Sequence, residues 1–252
     1  MKYSFSTILV LVLLTTVSGA EAGNIPLQCH RSRESLPQVI ETLDHDMKAV
    51  NQHVLSEAII EGAVNAVREL KLPIAPDVIR RKLRSIMKSS KGDGRLLSGY
   101  SIGVFAGASL GAGPQGGYEI VVLPNPHQPD SWKIGVFRFG GVLLGPKAEA
   151  VGGASINLIF NMRKLNDYAG PFCGISGGVS ASFGLDAVMH ASCFTRNKNK
   201  PVAIGVAANL GVSAGVAGSY THFRQLTETE VKGTEIAGSI KRLAKQYSGQ
   251  LK

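Results

Sequence analysis

Between Gly94 and Ser219 the chain carries 23 of its 30 glycines, and this crowding limits what it can fold into. Glycine weakens helix and strand interiors, so it is useful mainly where backbones turn sharply or approach closely. No period of three links these glycines, which excludes a collagen-like rod. The region alternates instead. In 100–111, Tyr100, Ile102, Val104 and Leu110 share one face while Ser101, Gly103, Gly107 and Ser109 share the other. Residues 155–162 set Ser155, Asn157 and Asn161 against Ile156, Leu158, Phe160 and Met162. Residues 173–183 set Ser176, Ser180 and Ser182 against Ile175, Val179 and Phe183. In 201–216, Val202, Ile204, Val206, Leu210 and Val212 oppose Gly205, Asn209, Gly211 and Ser213. A period of two marks strands with one apolar face and one small, polar face. With 117–123 and 132–143 added, six or more strands are expected. The turn-rich run 124–130 separates two of them, and a helical turn is expected over 163–168.

The flanks read as helix. Over 35–71, Val39, Ile40, Leu43, Met47, Val50, Val54, Ala58 and Ile59 recur at threes and fours, with Ser35 as a cap. Pro73 and Pro76 end this unit, and Asp77 is expected to cap a second helix from Val78 to about Ser89. Near the end, Ile236, Ile240, Leu243, Ala244 and Tyr247 make one stripe, with Lys241, Arg242 and Lys245 beside it. The expected fold class is α+β: N-terminal helices (23–93), a Gly-rich, mainly antiparallel sheet or barrel-like β core (94–226), and a C-terminal amphipathic helix (227–252).

Residues 1–22 read as a secretory signal. Lys2 starts it, 8–14 (ILVLVLL) form a short apolar core, and Ala20 and Ala22 offer small residues for cleavage. That core is too short for a helix of about 20 residues to cross a bilayer. The formal charge of the whole chain is +9. A secreted or periplasmic chain that is basic, and peripherally associated with a membrane, is the expected localisation. Export permits disulfides. Of Cys29, Cys173 and Cys193, the last two flank a hairpin centred near Phe183 and are expected to bridge, leaving Cys29 free or in an intermolecular bond.

Catalytic patterns are weak. Gly174-Ile175-Ser176-Gly177-Gly178 fits the G-x-S-x-G nucleophile elbow, with Asp186, His190 and His222 downstream. The same pattern recurs around Ser109 and Ser213, as expected of a Gly/Ser-rich sheet, and no helix former follows Ser176. The histidines are scattered and the cysteines lack zinc spacing. No catalytic residues, metal or cofactor are expected. Basic and aromatic residues do not interleave as stacking platforms, so no nucleic-acid partner is expected.

The clearest local signal is 76–95. Ile79, Leu83, Ile86 and Met87 make an apolar stripe, flanked by Arg80, Arg81, Lys82, Arg84, Lys88, Lys91 and Arg95. Such a helix suits an anionic lipid interface, each cation near the surface contributing about 1 kcal/mol. The plainer reading is a surface helix that docks its stripe on the sheet and leaves its charges solvated.

Three stretches resemble the SYLF lipid-binding domain family. They are Gly116–Pro124 before a Pro-rich turn and Trp132, Asn157–Leu165 before Gly177–Gly184, and Thr195–Lys198 before Ala203–Leu210. The family's Tyr-Ser-Arg-Ser sequence has no counterpart here. The resemblance implies a β-rich core that associates with phospholipid without catalysis. Residues and resemblance together lead to the expectation of an exported, non-enzymatic protein that binds an anionic phospholipid or membrane surface. The alternatives are a small outer-membrane β-barrel, with Ile and Val outward and Gly, Ser and Asn inward, and a structural protein with a protein partner. Few aromatics for membrane girdles and the cationic end weigh against the barrel.

Overall fold

A computed structural model describes residues 36–72, 74–125, 128, 130–193 and 201–248. Its elements are α1 (Leu36–Glu69), α2 (Pro76–Gly92), β1 (Leu97–Pro124), β2 (Ser131–Phe160), β3 (Gly170–Ser180), β4 (Phe183–Ser192), β5 (Val202–Lys232) and α3 (Ile236–Ser248). The class is α+β. The chain divides after Met47 into two compact units, and the second, Lys48–Lys252, holds the whole sheet. The expected signal, the Ser35 cap and Cys29 lie outside the described residues.

Helix α2 starts two residues earlier than its sequence indicates. Ala75 is the extended cap residue and Pro76 takes the first helical position, where its missing N–H leaves nothing unsatisfied. Asp77 therefore sits inside the first turn and accepts a hydrogen bond from Arg80 at 2.6 Å. The sheet runs on to Lys232, six residues past the expected boundary at 226, because Thr227, Thr229 and Val231 keep the strand alternation.

The six runs that read as strands fall on four of the five, two each on β1 and β2 and one each on β3 and β5, and β1, β2 and β5 are long strands bent in the middle. β1 pairs with β2 from Leu97↔Phe160 to Leu110↔Ala148, and again from Ala112↔Leu144 to Pro124↔Trp132. β2 pairs with β5 in the same two blocks, Phe160↔Val202 to Ala148↔Ala214 and Leu144↔Gly218 to Ser131↔Lys232. Gly111, Gly145 and Gly215 stand at the three bends, with φ of +82°, +137° and +112° that side chains disfavour. β4 pairs with the first leg of β5, β3 with the second, and β3 with β4. On the opposite edge the two legs of β1 meet. A Cβ on Gly99, Gly113 or Gly117 would collide with the carbonyl oxygen of Val122, Ala108 or Val104. Eight legs thus close into a small barrel, with the bends at one end.

At the other end the outer wall is covered. Ile59, Ile60, Ala63, Val64 and Val67 of α1, Ile79 and Leu83 of α2, and Ile236 and Ile240 of α3 pack on Tyr100, Ile102, Ile120, Val122, Ile134, Ile156, Leu158 and Phe160. Val54, expected in the α1 stripe, is exposed. Inside the same end, Phe137, Tyr168, Phe172 and Phe223 form an aromatic plug with Val121, Leu123, Ile159, Met162 and Leu165. Met162 joins this inner cluster rather than the outer face of Phe160. Asn161 takes a φ of +58°, which breaks the alternation, and its Oδ1 accepts the Leu96 N–H at 3.0 Å.

Candidate functional site

Above the aromatic plug the interior turns polar. Gln115, Glu119, Glu149, Asn157, Ser176, Asp186, His190, Asn209, Ser219 and Thr221 line an enclosed cavity of about 60 Å³, room for a few waters. Glu119 projects inward from the middle of the apolar run 118–123. Ser101 donates a short hydrogen bond to it, and Asn157 Nδ2 donates to its Oε1 at 2.9 Å. Burial pushes the Glu119 carboxyl above its ordinary value, opposed by these two hydrogen bonds. The Tyr168 hydroxyl faces the same group without reaching hydrogen-bond geometry, and burial raises its pKa well above the usual range. His190 keeps part of its surface open, but its Nδ1 is sealed without a partner, and burial lowers its pKa to about 4.

The outer wall at the bent end is the reverse. Outward-facing positions on β1 are Val104, Ala106, Ala108, Leu110, Ala112 and Pro114; on β2, Val142, Leu144, Ala148 and Ala150. β3 adds Ile175 and Val179, β4 adds Phe183, Leu185, Ala187 and Met189, and β5 adds Leu210, Val212, Ala214 and Val216. All are exposed, Leu110 at 87%, Val179 at 77% and Val212 at 59%. The four segments 104–116, 139–151, 174–189 and 209–221 contain only three formally charged residues, Lys147, Glu149 and Asp186. Glu149 and Asp186 point inward and are buried. A monomer in water rarely exposes more than a few hundred Å² of contiguous apolar surface. Here such a surface encircles one end of the barrel. No described helix is long and apolar enough to cross a membrane, which leaves strands out of account.

The basic helix is divided by its docking. Ile79 and Leu83 are fully buried against the sheet, so its stripe is not free to enter lipid. Arg80 bonds Glu61 through Nε at 2.7 Å and Nη2 at 3.0 Å, and this pairing holds the Glu61 carboxyl below its usual range. Arg84 bonds Glu57 at 2.7 Å, and Arg95 approaches Asp93 at 3.7 Å. Arg81, Lys82, Lys88 and Lys91 are exposed and meet no carboxylate among the described residues. Of these, Lys82 borders a depression it shares with Ile86 of α2 and with Ile175, Leu185, Met189 and Val216 of the apolar wall.

Two arginines that sequence reading passed over stand at the same level on the other side. Arg138 and Arg224 are directly opposed across β2 and β5, with His222 next to Arg224's strand neighbour Phe223. Their signal was available: a lone cation between Phe137 and Phe139, and another alternating with Phe223.

Cys173 and Cys193 form the expected disulfide, with Cα atoms 5.1 Å apart. The hairpin pairs Cys173 with Ala191, one residue off the expected axis, and the bridge reaches Cys193 just beyond β4. Ser176 lies in mid-strand, facing the enclosed cavity, and not on the strand-to-helix turn an elbow requires. Asp186 and His190 line the same cavity, while His222 is on the outside. Among the described residues no cluster of His, Cys, Asp and Glu is arranged to hold a metal ion. No known protein family, curated protein or solved structure matches this chain.

Proposed function

We propose that this is an exported membrane-binding protein that buries the bent end of its barrel in one leaflet of a bilayer. The observation that carries the reading is an apolar outer wall, on which no described side chain is charged, around a polar interior. This inverts the pattern of a water-soluble barrel and matches that of strands in lipid. Along the paired strands, backbone polar groups are compatible with lipid because the barrel closes and leaves no open edge.

Reach decides between inserting and spanning. From Val104 to Leu110 is six residues, about 20 Å along the strand, and less along the barrel axis with a strand tilt of about 40°. A hydrocarbon core of about 30 Å is twice what that band covers, so the wall suits one leaflet. The disulfide is compatible with an exported location. The cations of α2 enter this reading as a rim, with Lys82 beside Leu185 and Met189, and not as a separate amphipathic anchor.

The test is co-sedimentation of the exported chain with neutral phosphatidylcholine vesicles. Val212→Arg with Val216→Arg changes two exposed positions, so folding is spared while each cation near the bilayer midplane costs about 2–4 kcal/mol. The wild type is expected in the pellet, with binding retained in 0.5 M salt because apolar insertion is not screened. The double variant is expected in the supernatant with an unchanged melting temperature. A wild type that pairs with itself through this wall and stays off vesicles would overturn the reading.

A further inference from the structure

The rim of the apolar wall holds an unpaired cationic site. Arg138 and Arg224 are directly opposite on neighbouring strands, an arrangement that like charges make unfavourable. Both are exposed, and neither meets a carboxylate among the described residues. With His222, also exposed, they border a surface depression of about 520 Å³. Its floor is glycine. Gly116 and Gly140 face each other across β1 and β2, and a Cβ on Gly140 would meet nothing within 4 Å. An anion can therefore come down to the backbone beside the two guanidiniums, between Gly116 and His222. Arginine's planar fork fits a phosphate's oxygens through paired hydrogen bonds.

Depth points to the same ligand. Arg138 is seven residues from the bend at Gly145, about 23 Å along the strand and about 18 Å along a barrel axis tilted by about 40°. With the bend near the bilayer midplane, about 15 Å of hydrocarbon lies above it, which brings both arginines to the headgroup phosphates. Tyr220 stands one position below His222 on the same outer face, partly exposed, as an aromatic at the boundary between water and acyl chains would be.

We infer that Arg138, Arg224 and His222 form a phosphate site that binds the headgroup of an anionic phospholipid while the apolar wall below is in the leaflet. The inference rests on the membrane reading above, and its test separates the two. Binding of the exported chain is compared on phosphatidylcholine vesicles and on vesicles with 30 mol% phosphatidic acid. At about 1 kcal/mol per cation, the two arginines should favour the acidic vesicles by about ten- to thirtyfold. Arg138→Gln with Arg224→Gln is expected to abolish that preference while binding to phosphatidylcholine persists. Lys88→Gln with Lys91→Gln removes the same charge from α2 and is expected to keep most of it.

A preference that survives in the arginine variant, or that both double variants lose equally, would overturn the site in favour of general surface charge. The arginine variant should melt no lower than wild type, since it relieves a like-charge opposition. Inorganic phosphate at millimolar concentration is titrated in parallel, with the His222 ring resonances as the readout. Phosphate binding without vesicle binding would overturn the lipid source and the membrane reading while leaving an anion site. Vesicle binding with no acidic preference would overturn this inference alone.

Discussion

Two buried titratable groups inside the barrel pull stability in opposite directions with pH. Glu119 has a folded pKa raised by burial, so its contribution is complete below about 4.5 and is lost as pH rises toward the folded value. Glu119→Gln keeps an oxygen for Ser101 and Asn157 and removes the ionisation. The variant is expected to match wild type near pH 4 and to melt higher at pH 8; a lower melting temperature at pH 8 would show that the carboxylate is stabilised where it sits. His190 works the other way. Its pKa is lowered to about 4, so its contribution is complete above about 6.5 and is lost as pH falls through 4. Wild type should therefore lose stability between pH 6.5 and 4, and His190→Gln should flatten that part of the profile. A profile equally steep in the variant would assign the loss to other groups.

The elements show what alternation and helical spacing make legible. Each strand face was readable, since Ile and Val at every second position do face outward along 100–110 and 202–212. The α3 stripe, Ile236 to Tyr247, also packs where its spacing indicates. Alternation does not say which face is wet, and the inner face of a small barrel needs no large side chains. The bends are not legible because Gly111, Gly145 and Gly215 look like turn residues between separate strands, although each strand continues through its bend and only the ladder is interrupted there. Glu119 and Arg138 are single ionisable residues in apolar runs, and a lone charge in a strand has no period to announce it.

The basic helix was legible as an element, while its partner was not. The sheet positions around it include Val206 on β5, more than 120 residues later in the chain. Leu83→Ala, in a fully buried site, is expected to cost about 2–5 kcal/mol in denaturant unfolding, whereas Arg84→Gln, half-exposed, should cost less than about 1 kcal/mol. Equal costs would mean that ion pairs and not packing hold α2 down. Replacing Cys173 and Cys193 with serine opens a loop of 20 residues at the β3–β4 edge and is expected to cost about 2–4 kcal/mol.

Across the whole molecule the two ends of the barrel carry opposite surfaces. One is plugged with aromatics inside and covered by three helices outside; the other is polar inside and bare outside. Because the described helices cover the outer wall at the first end, the proposed membrane contact belongs to the second, and the natural tryptophan tells the two apart. Trp132 is 8% exposed and packs in the helix-covered core, about as far from the bends as the strands allow. Its emission should not change when vesicles are added. Leu110→Trp places a second indole at the bare end, 87% exposed in water, so its emission should begin red and shift to the blue on adding vesicles. Lipids brominated deep in the acyl chain should quench it more than lipids brominated near the headgroup, as expected of a band that reaches the middle of the bilayer. Quenching confined to Trp132, or strongest near the headgroup for Trp at 110, would mean that the molecule meets the membrane by its helices and that the bare wall serves another contact.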